Sequence, residues 1–190
     1  MKELSLHLLD IAENSVAAGA RHIEITVEED LPLDWLKFTV SDDGKGMDEQ
    51  LLARISDPFV TSRTTRKVGL GIPLLQAAAE SCAGSLQISS TPGQGTRLTA
   101  EFQRSHIDRM PLGDLAGTML TLLIGWPQIH WRFIYRVKTQ PESNGAEFIF
   151  DDEPIKRELE GVSLTDPTIL GFIKQLLSEG ISRIQPASGR

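Results

Sequence analysis

Residues 41–46 read Ser-Asp-Asp-Gly-Lys-Gly and follow a run, residues 36–40, in which apolar and polar side chains alternate. This alternation predicts a strand with one buried face, and the polar, glycine-containing stretch predicts that the strand gives way to a loop. A carboxylate such as Asp42 only accepts hydrogen bonds, so it suits an exocyclic amine such as that of adenine. Gly44 and Gly46 permit a positive φ and a close approach of backbone to a ligand. An ordinary turn would have the same pattern.

Upstream of this loop, residues 3–18 are predicted to form an amphipathic helix, because apolar residues such as Leu4 and Leu8 recur at helical spacing. Asp10 and Asn14 are four residues apart and share a different face of that helix. An asparagine oxygen is a hard, neutral ligand suited to Mg²⁺, and a carboxylate one turn earlier can orient or deprotonate a water molecule. A solvated helix face is the alternative interpretation.

Downstream, Gly69, Leu70 and Gly71 come just before a predicted helix that has Pro73 in its first turn. Backbone N–H groups at a helix start favour anions, above all phosphate. The preceding residues 61–67 carry three positive charges and no negative charge, in a chain with a formal net charge of −7. This pattern predicts a phosphate-binding lid, with a solvated basic loop as the alternative.

The rest of the chain is predicted to alternate strands and helices around turns. Further strands are expected at residues 22–28, 85–90, 96–102, 130–138 and 146–150, and further helices at 48–55, 73–83, 112–124, 153–159 and 167–179. The change of character past residue 104 indicates two parts, a domain over 1–104 and a small α+β module over 105–190. A cluster of aromatic residues in the second part is expected to form its core, with a partner-binding surface as the alternative.

Composition excludes several classes of protein. The chain has 190 residues, of which 40% are hydrophobic and 24% charged, as in ordinary globular proteins. A single cysteine excludes an internal disulfide and argues against a structural zinc site, and it favours a reducing, cytoplasmic setting. Net acidity argues against nucleic acid as a partner. We expect no signal peptide and no membrane span, since the most apolar run, residues 115–126, is too short.

Taken together, the short stretches carry more information than each does alone. Four of them, with Phe59 between the second and third, stand in this order: Asp10-Ile11-Ala12-Glu13-Asn14, Asp42-Asp43-Gly44-Lys45-Gly46, Gly69-Leu70-Gly71 and Gly93-Gln94-Gly95-Thr96. Over residues 3–104 this order resembles the GHKL ATPase superfamily of gyrases, heat-shock chaperones, histidine kinases and MutL-like proteins. The resemblance implies a two-layer α/β sandwich, a mixed sheet with helices on one face, that binds ATP and Mg²⁺ on the helical side.

The resemblance also implies roles for individual residues. Asn14 matches the asparagine that binds Mg²⁺, and Asp42 matches the aspartate that binds adenine. Other positions implied to contact the nucleotide are the loop glycines Gly44 and Gly46, Met47, Gly69, Leu70, Gly71, Thr96 and, by position, Lys67. Asp10 stands where many hydrolysing members have a glutamate, so it is the candidate catalytic residue.

Departures from the family pattern shape the functional hypotheses. Asp10 is one methylene shorter than glutamate, which predicts slow hydrolysis. Neither His7 nor His106 has the surroundings of a phosphoacceptor, so any phosphorylation is expected to occur on a partner protein. The first hypothesis is therefore an enzyme, an ATPase or a kinase without its own acceptor domain. The alternative is a non-hydrolysing, ATP-gated switch similar to anti-sigma factors, and a degenerate domain without nucleotide is a third.

Overall fold

A computed structural model of the chain describes residues 3–56, 71–159 and 163–186. In these residues the strands are β1 (His22–Asp30), β2 (Trp35–Asp42), β3 (Ser85–Thr91), β4 (Gly95–Gln103), β5 (His130–Lys138) and β6 (Ala146–Asp151). The helices are α1 (Leu4–Ala17), α2 (Glu49–Ser56), α3 (Gly71–Ser81), α4 (Leu115–Gly125), α5 (Asp152–Glu158) and α6 (Pro167–Ile184). Every helix and strand predicted over these residues is present.

All six strands belong to one sheet, in the order β3-β4-β2-β1-β5-β6. Its neighbours pair antiparallel, except that β5 runs parallel to β1 along the whole length of β1. The sheet is therefore mixed, as predicted. The parallel pair is possible because the long connection that contains α4 returns the chain to the edge of the sheet where β1 begins.

Side chains alternate between the two faces of this sheet. On one face Ile25, Phe38, Leu98 and Phe133 are each at most 2% exposed and pack under the helices. On the other face charged side chains pair across strands, as in the ion pair of 2.8 Å between Arg132 and Glu24. The helices thus cover one face, which confirms the predicted sandwich.

Helix α1 lies at the centre of the helical layer and faces the sheet with its predicted apolar stripe, including Leu8 and Ile11. Its chain reverses at Gly19, whose φ of +78° is a conformation that favours glycine. At the other end, the N–H groups of Leu4 and Ser5 donate to carbonyls of the segment that precedes α4. Residues on both sides of position 104 therefore fix the position of α1.

The structure differs from the sequence-based expectation at some element ends. Strand β2 extends through Asp42, although a loop was predicted from residue 41, because Asp42 pairs with both Ile23 and Thr96. Helix α4 begins at Leu115 rather than 112, since the Asp114 carboxylate caps it by accepting the N–H of Gly117. Helix α6 continues to Ile184, five residues past its predicted end.

The part beyond residue 104 extends the sheet by two strands. The aromatic residues of its strands lie in the core, where Trp131, Phe133 and Tyr135 are fully buried on β5 and Phe150 on β6 is 2% exposed. The apolar run 115–126 forms a largely buried helix, α4, as expected. None of the helices in the described part of the chain is both long and apolar enough to cross a membrane.

Candidate functional site

A cavity of about 220 Å³ opens between α1, α2, the N-terminus of α3 and the strand ends where β2 meets β4. Most of its wall is apolar, formed by Ile11, Ala17, Ala18, Val40, Met47, Leu51, Ile55, Ile72, Ile88 and Leu98. Asn14, Ser15, Asp42, Lys45 and Thr96 add polar groups, and Gly46 contributes backbone. An apolar cleft with a few convergent polar groups is the usual form of a small-molecule site.

The carboxylate of Asp42 is held from three directions. Its Oδ2 accepts the hydroxyl of Ser15 at 2.6 Å, and its Oδ1 accepts the N–H of Gly44 at 2.9 Å and that of Thr96 at 3.3 Å. No lysine, arginine or histidine of the described ranges forms an ion pair with it. Asp42 is thus a fixed, negatively charged acceptor in the cavity wall, with capacity left for a further donor.

Ser90, on β3, holds together the loop and the hairpin that border the cavity. Its hydroxyl oxygen accepts the N–H of Met47 at 2.8 Å and lies 2.9 Å from both the carbonyl oxygen of Gly95 and Oγ1 of Thr96. Strand pairing of Ser90 with Thr96 brings these groups together. The hydroxyl therefore joins the loop after β2 to the β3–β4 hairpin, which sets the shape of the cavity.

Close backbone packing explains the glycines of the loop after β2. Gly46 has a φ of +64°, and a Cβ there would lie 2.0 Å from the carbonyl oxygen of Thr91. Gly44 is buried, and a Cβ there would lie 3.0 Å from Cβ of Ala18, at the end of α1. Larger residues would push the loop away from the cavity.

Asp43 anchors the loop on the side away from the cavity. Its Oδ1 accepts the N–H groups of Arg21 at 2.7 Å and His22 at 2.9 Å. Partial burial acts to raise the pKa of this carboxyl, but these backbone donors outweigh it and hold the pKa below its ordinary value. Asp43 therefore stays charged at neutral pH and ties the loop to the start of β1.

Asn14 and Asp10 lie one turn apart on α1, as the helical spacing predicted. Asn14 is exposed and lines the cavity. Asp10 is half-buried beside the N-terminus of α3, where a Cβ on Gly71 would lie 3.3 Å from Asp10 Oδ2. Neither side chain has a hydrogen-bond partner among the described residues, so both are available to a ligand.

Some of the predicted site residues lie in the described part of the chain and others lie outside it. Asn14, Asp42, Gly46, Met47 and Thr96 line the cavity. Gly44, Asp10 and Gly71 are not among the lining residues: Gly44 donates its N–H to Asp42, and Asp10 lies beside Gly71 at the start of α3. Lys67, Gly69, Leu70 and the lid segment with Phe59 lie outside the described residues.

Two residues that hold the site were missed by sequence reasoning. Ser15 belongs to the buried stripe of α1, and its position next to Asn14 is the sequence signal that it borders the site. Ser90 has no local signal, because its role depends on the register of two strands.

Comparisons with known proteins agree with this geometry. Residues 2–106 match the family model described as "Histidine kinase-, DNA gyrase B-, and HSP90-like ATPase". The chain is 32% identical over 123 residues to a "Non-motile and phage-resistance protein" of Caulobacter vibrioides, a match that covers 62% of this chain and 15% of that protein. It is 39% identical over 92 residues to "Sensor protein kinase FleS" of Pseudomonas aeruginosa, covering 48% of this chain and 23% of that kinase.

A solved structure with a similar fold is the N-terminal domain of a DNA repair protein. The TM-score is 0.54 at 14% sequence identity, and the match covers 78% of this chain and 52% of that one. Such low identity shows the fold alone. The chain also spans less than a quarter of each of the two curated relatives above, so the match concerns a part of those proteins.

The family match spans more than half of the chain and coincides with the cavity and its polar residues. It confirms the resemblance that the order of the motifs indicated. The chain therefore belongs to the histidine kinase-, DNA gyrase B- and HSP90-like ATPases, and it carries their ATP-binding domain in the histidine-kinase form.

Proposed function

We propose that this chain binds Mg²⁺–ATP in the cavity between α1 and the β2–β4 strand ends, and slowly transfers the γ-phosphate to water or to a partner protein. The observation that carries the proposal is the carboxylate of Asp42. It is held by Ser15 and Thr96 within a mostly apolar cleft and forms no ion pair with the described residues. A purine ring with an exocyclic amine satisfies both features, since its faces are apolar and its amine donates.

The polar end of the cleft fits a Mg²⁺-bound triphosphate. Asn14 offers an unpartnered amide oxygen at the cavity, a suitable ligand for a hard cation that keeps several waters and shares phosphate oxygens. When bound, Mg²⁺ neutralises charge on the β- and γ-phosphates during transfer. The N-terminus of α3, which begins at Gly71, offers backbone N–H groups to the phosphates. We assign Gly69 and Leu70 to the same task by their motif, and Lys67 by its position just before them.

Asp10 is the residue that we expect to act on the reacting group. It lies one turn from Asn14 and beside the start of α3, so it can accept a proton from, or orient, a water or an acceptor side chain near the γ-phosphate. Its side chain is one methylene shorter than the glutamate of many hydrolysing members. A misplacement of about 1 Å can reduce the rate ~100-fold, so we expect turnover well below about 1 s⁻¹.

A partner protein is the acceptor that we favour over the chain itself. His7 is 3% exposed inside α1, so its imidazole is not accessible to the γ-phosphate. Sensor kinases among the relatives make a protein acceptor a natural proposal. We place the activity in the cytoplasm, where Mg²⁺ and ATP are abundant.

A non-hydrolysing switch is the second candidate, and the shorter Asp10 side chain favours it. In that case bound ATP changes the affinity for a partner without transfer of phosphate. Replacing Asp10 with alanine separates the two functions. An enzyme loses turnover and keeps ATP binding, whereas a switch keeps both its ATP binding and its ATP-dependent binding of the partner.

The test is incubation with γ-labelled ATP and Mg²⁺, followed by separation of ATP, free phosphate and protein. We expect label to leave ATP slowly with the original chain and not with Asn14→Ala. Asn144→Ala, in the turn between β5 and β6, is the matched control and should behave as the original chain does. Loss of label from ATP at the same rate in Asn14→Ala would contradict the proposal.

A further inference from the structure

A second cluster of potential ligands lies outside the nucleotide cavity, on the same edge of the sheet. There β1 and β5 begin and β6 ends, so His22, His130 and Asp151 become neighbours through strand pairing. The Nδ1 atoms of the two histidines are 2.8 Å apart, and Nε2 of His130 is 2.8 Å from Oδ1 of Asp151. Asp152 follows at the first position of α5.

Three of these side chains come close enough to share one ion. His130, Asp151 and Asp152 each offer one ligand atom, and these atoms lie within 4.8 Å of one another. Metal–ligand bonds of about 2.0–2.2 Å place the ligands of one ion roughly 3–4 Å apart. Small side-chain rotations would therefore bring the three atoms into one coordination sphere.

Asp152 points to an ion most directly. It is fully buried, its Oδ1 accepts the N–H of Trp131 at 3.0 Å, and its Oδ2 accepts no hydrogen bond of good geometry from the described residues. The compensation for Oδ2 is the ammonium of Lys156 at 2.6 Å, at the end of a flexible side chain that is 24% exposed. A divalent ion could displace this ammonium into solvent, where a lysine head is readily hydrated.

His22 fits the role of an outer partner. A neutral histidine that binds a metal through Nε2 carries its proton on Nδ1 and usually donates it to a neighbouring group. In this cluster Nδ1 of His130 faces Nδ1 of His22, which accepts that hydrogen bond when its own proton is on Nε2. The histidine pair would thereby fix the tautomer and the orientation of His130.

We propose that His130, Asp151 and Asp152 form a binding site for a divalent transition-metal ion, with His22 as a positioning residue. One imidazole and two carboxylates suit ions such as Zn²⁺ or Mn²⁺. The site is distinct from the proposed Mg²⁺–ATP site, which uses Asn14 on α1. Binding there would join the β5–β6 hairpin to the start of β1, close to the loop that Asp43 anchors.

The test is a calorimetric titration of the untagged full chain with Zn²⁺, without nucleotide. We expect one ion per chain, at least 10-fold weaker binding in His130→Gln and in Asp151→Asn, and 10- to 100-fold weaker binding in His22→Phe. The matched controls are His106→Gln, a histidine outside the cluster, and Asn14→Ala, and both should bind Zn²⁺ unchanged. No binding at millimolar Zn²⁺, or equal binding by His130→Gln, would overturn the proposal.

The Lys156→Met variant distinguishes a metal site from a cluster that only stabilises the fold. Removal of the competing ammonium should tighten Zn²⁺ binding about 10-fold, and Zn²⁺ should restore the thermal stability that the variant loses. If a cluster variant fails to fold, Co²⁺ can be added to the original chain instead. Bound Co²⁺ absorbs visible light, and this absorption should disappear when Zn²⁺ displaces the Co²⁺. Unchanged affinity in Lys156→Met, or the absence of a Co²⁺ absorption band that Zn²⁺ removes, would refute the assignment.

Discussion

In both the β2–β4 part and the β5–β6 part of the sheet, alternate side chains face the helices, but these side chains differ in kind. At the β2–β4 end, the side chains on the helical face finish in Asp42 and Thr96, which remain half-buried at an open cavity. On β5 and β6, the corresponding face carries Trp131, Phe133 and Phe150, which are buried. The first region keeps polar groups available to a ligand, whereas the second fills its space with aromatic rings.

The two regions also differ in how their carboxylates are held. Asp42 is held by hydroxyl and backbone donors without an ion pair in the described part of the chain. Glu29, beneath the second region, pairs with Arg104 at 2.6 Å and accepts the hydroxyl of Tyr135. No ion pair among the described residues compensates the charge of Asp42, which lines the cavity, whereas Arg104 compensates the charge of Glu29 in the core. The comparison teaches that the nucleotide cavity is distinguished by a carboxylate without an ion pair in the described part of the chain.

The largest expected effect tests the packing role of β5. Phe133→Ala should lower the free energy of unfolding by about 3–5 kcal/mol, because it removes a fully buried ring from the core. Urea denaturation followed by circular dichroism measures this. Ile149→Ala on β6 is the matched control. Its side chain is 46% exposed on the other face, so a loss under about 1 kcal/mol is expected.

The same denaturation experiment tests whether residues 1–104 and residues 105–190 unfold together or independently. The division at residue 104 stays a prediction, and the parallel pairing of β1 with β5 leads us to expect that both parts unfold together. Nucleotide binding and circular dichroism should then be lost at the same urea concentration in Phe133→Ala. Binding that survives after the aromatic core has unfolded would show two independent units.

The next effect tests the unpaired carboxylate. Asp42→Asn should weaken ATP binding roughly 10- to 100-fold, since hydrogen bonds to charged groups contribute about 1.5–3 kcal/mol. Equilibrium titration with a fluorescent ATP analogue measures the dissociation constant. Asp30→Asn, at the far end of β1 in an ion pair with Lys138, should leave it unchanged. Equal affinity in Asp42→Asn would remove the main support for the proposed function.

A smaller effect is expected from the group that orients Asp42. Ser15→Ala removes the hydroxyl that donates to Oδ2, a neutral donor worth about 1 kcal/mol, so ATP affinity should fall roughly 2- to 10-fold. The same titration applies, with Ser5→Ala, near the start of α1, as the control. A loss as large as that of Asp42→Asn would mean that Ser15 itself contacts the nucleotide.

The smallest effect concerns alkaline pH. Burial, and then the hydrogen bond to Glu29, raise the pKa of Tyr135, the one tyrosine of the chain. The unfolded chain therefore ionises first, near its ordinary pKa of about 10, and stability that is complete below that pH falls as the pH rises further. The free energy of unfolding between pH 8 and 11.5 should show this fall in the original chain and less of it in Tyr135→Phe. Absorbance at 295 nm follows the ionisation, and early titration in the folded protein would contradict the burial.

The sequence predicted the elements from local patterns, and the order of its motifs predicted that Asn14, Asp42 and Thr96 belong to one site, which agrees with their place in one cavity wall. The alternation around Phe38 predicts strand β2, and the spacing of Asp10 and Asn14 predicts that they lie one turn apart on α1; the structure shows both. Ser90 and the histidine pair could not be found this way, because only strand register brings His22 against His130 and Ser90 against Thr96. Register depends on the whole sheet, and no short window of sequence contains it.

The most direct test of the central claim is a calorimetric titration of the full chain with ATP in the presence of Mg²⁺. The account predicts one site per chain, with weaker binding when Mg²⁺ is removed or when Asn14 is replaced by alanine, and much weaker binding in Asp42→Asn. Absence of any binding heat up to millimolar ATP, with the chain shown to be folded by circular dichroism, would contradict it.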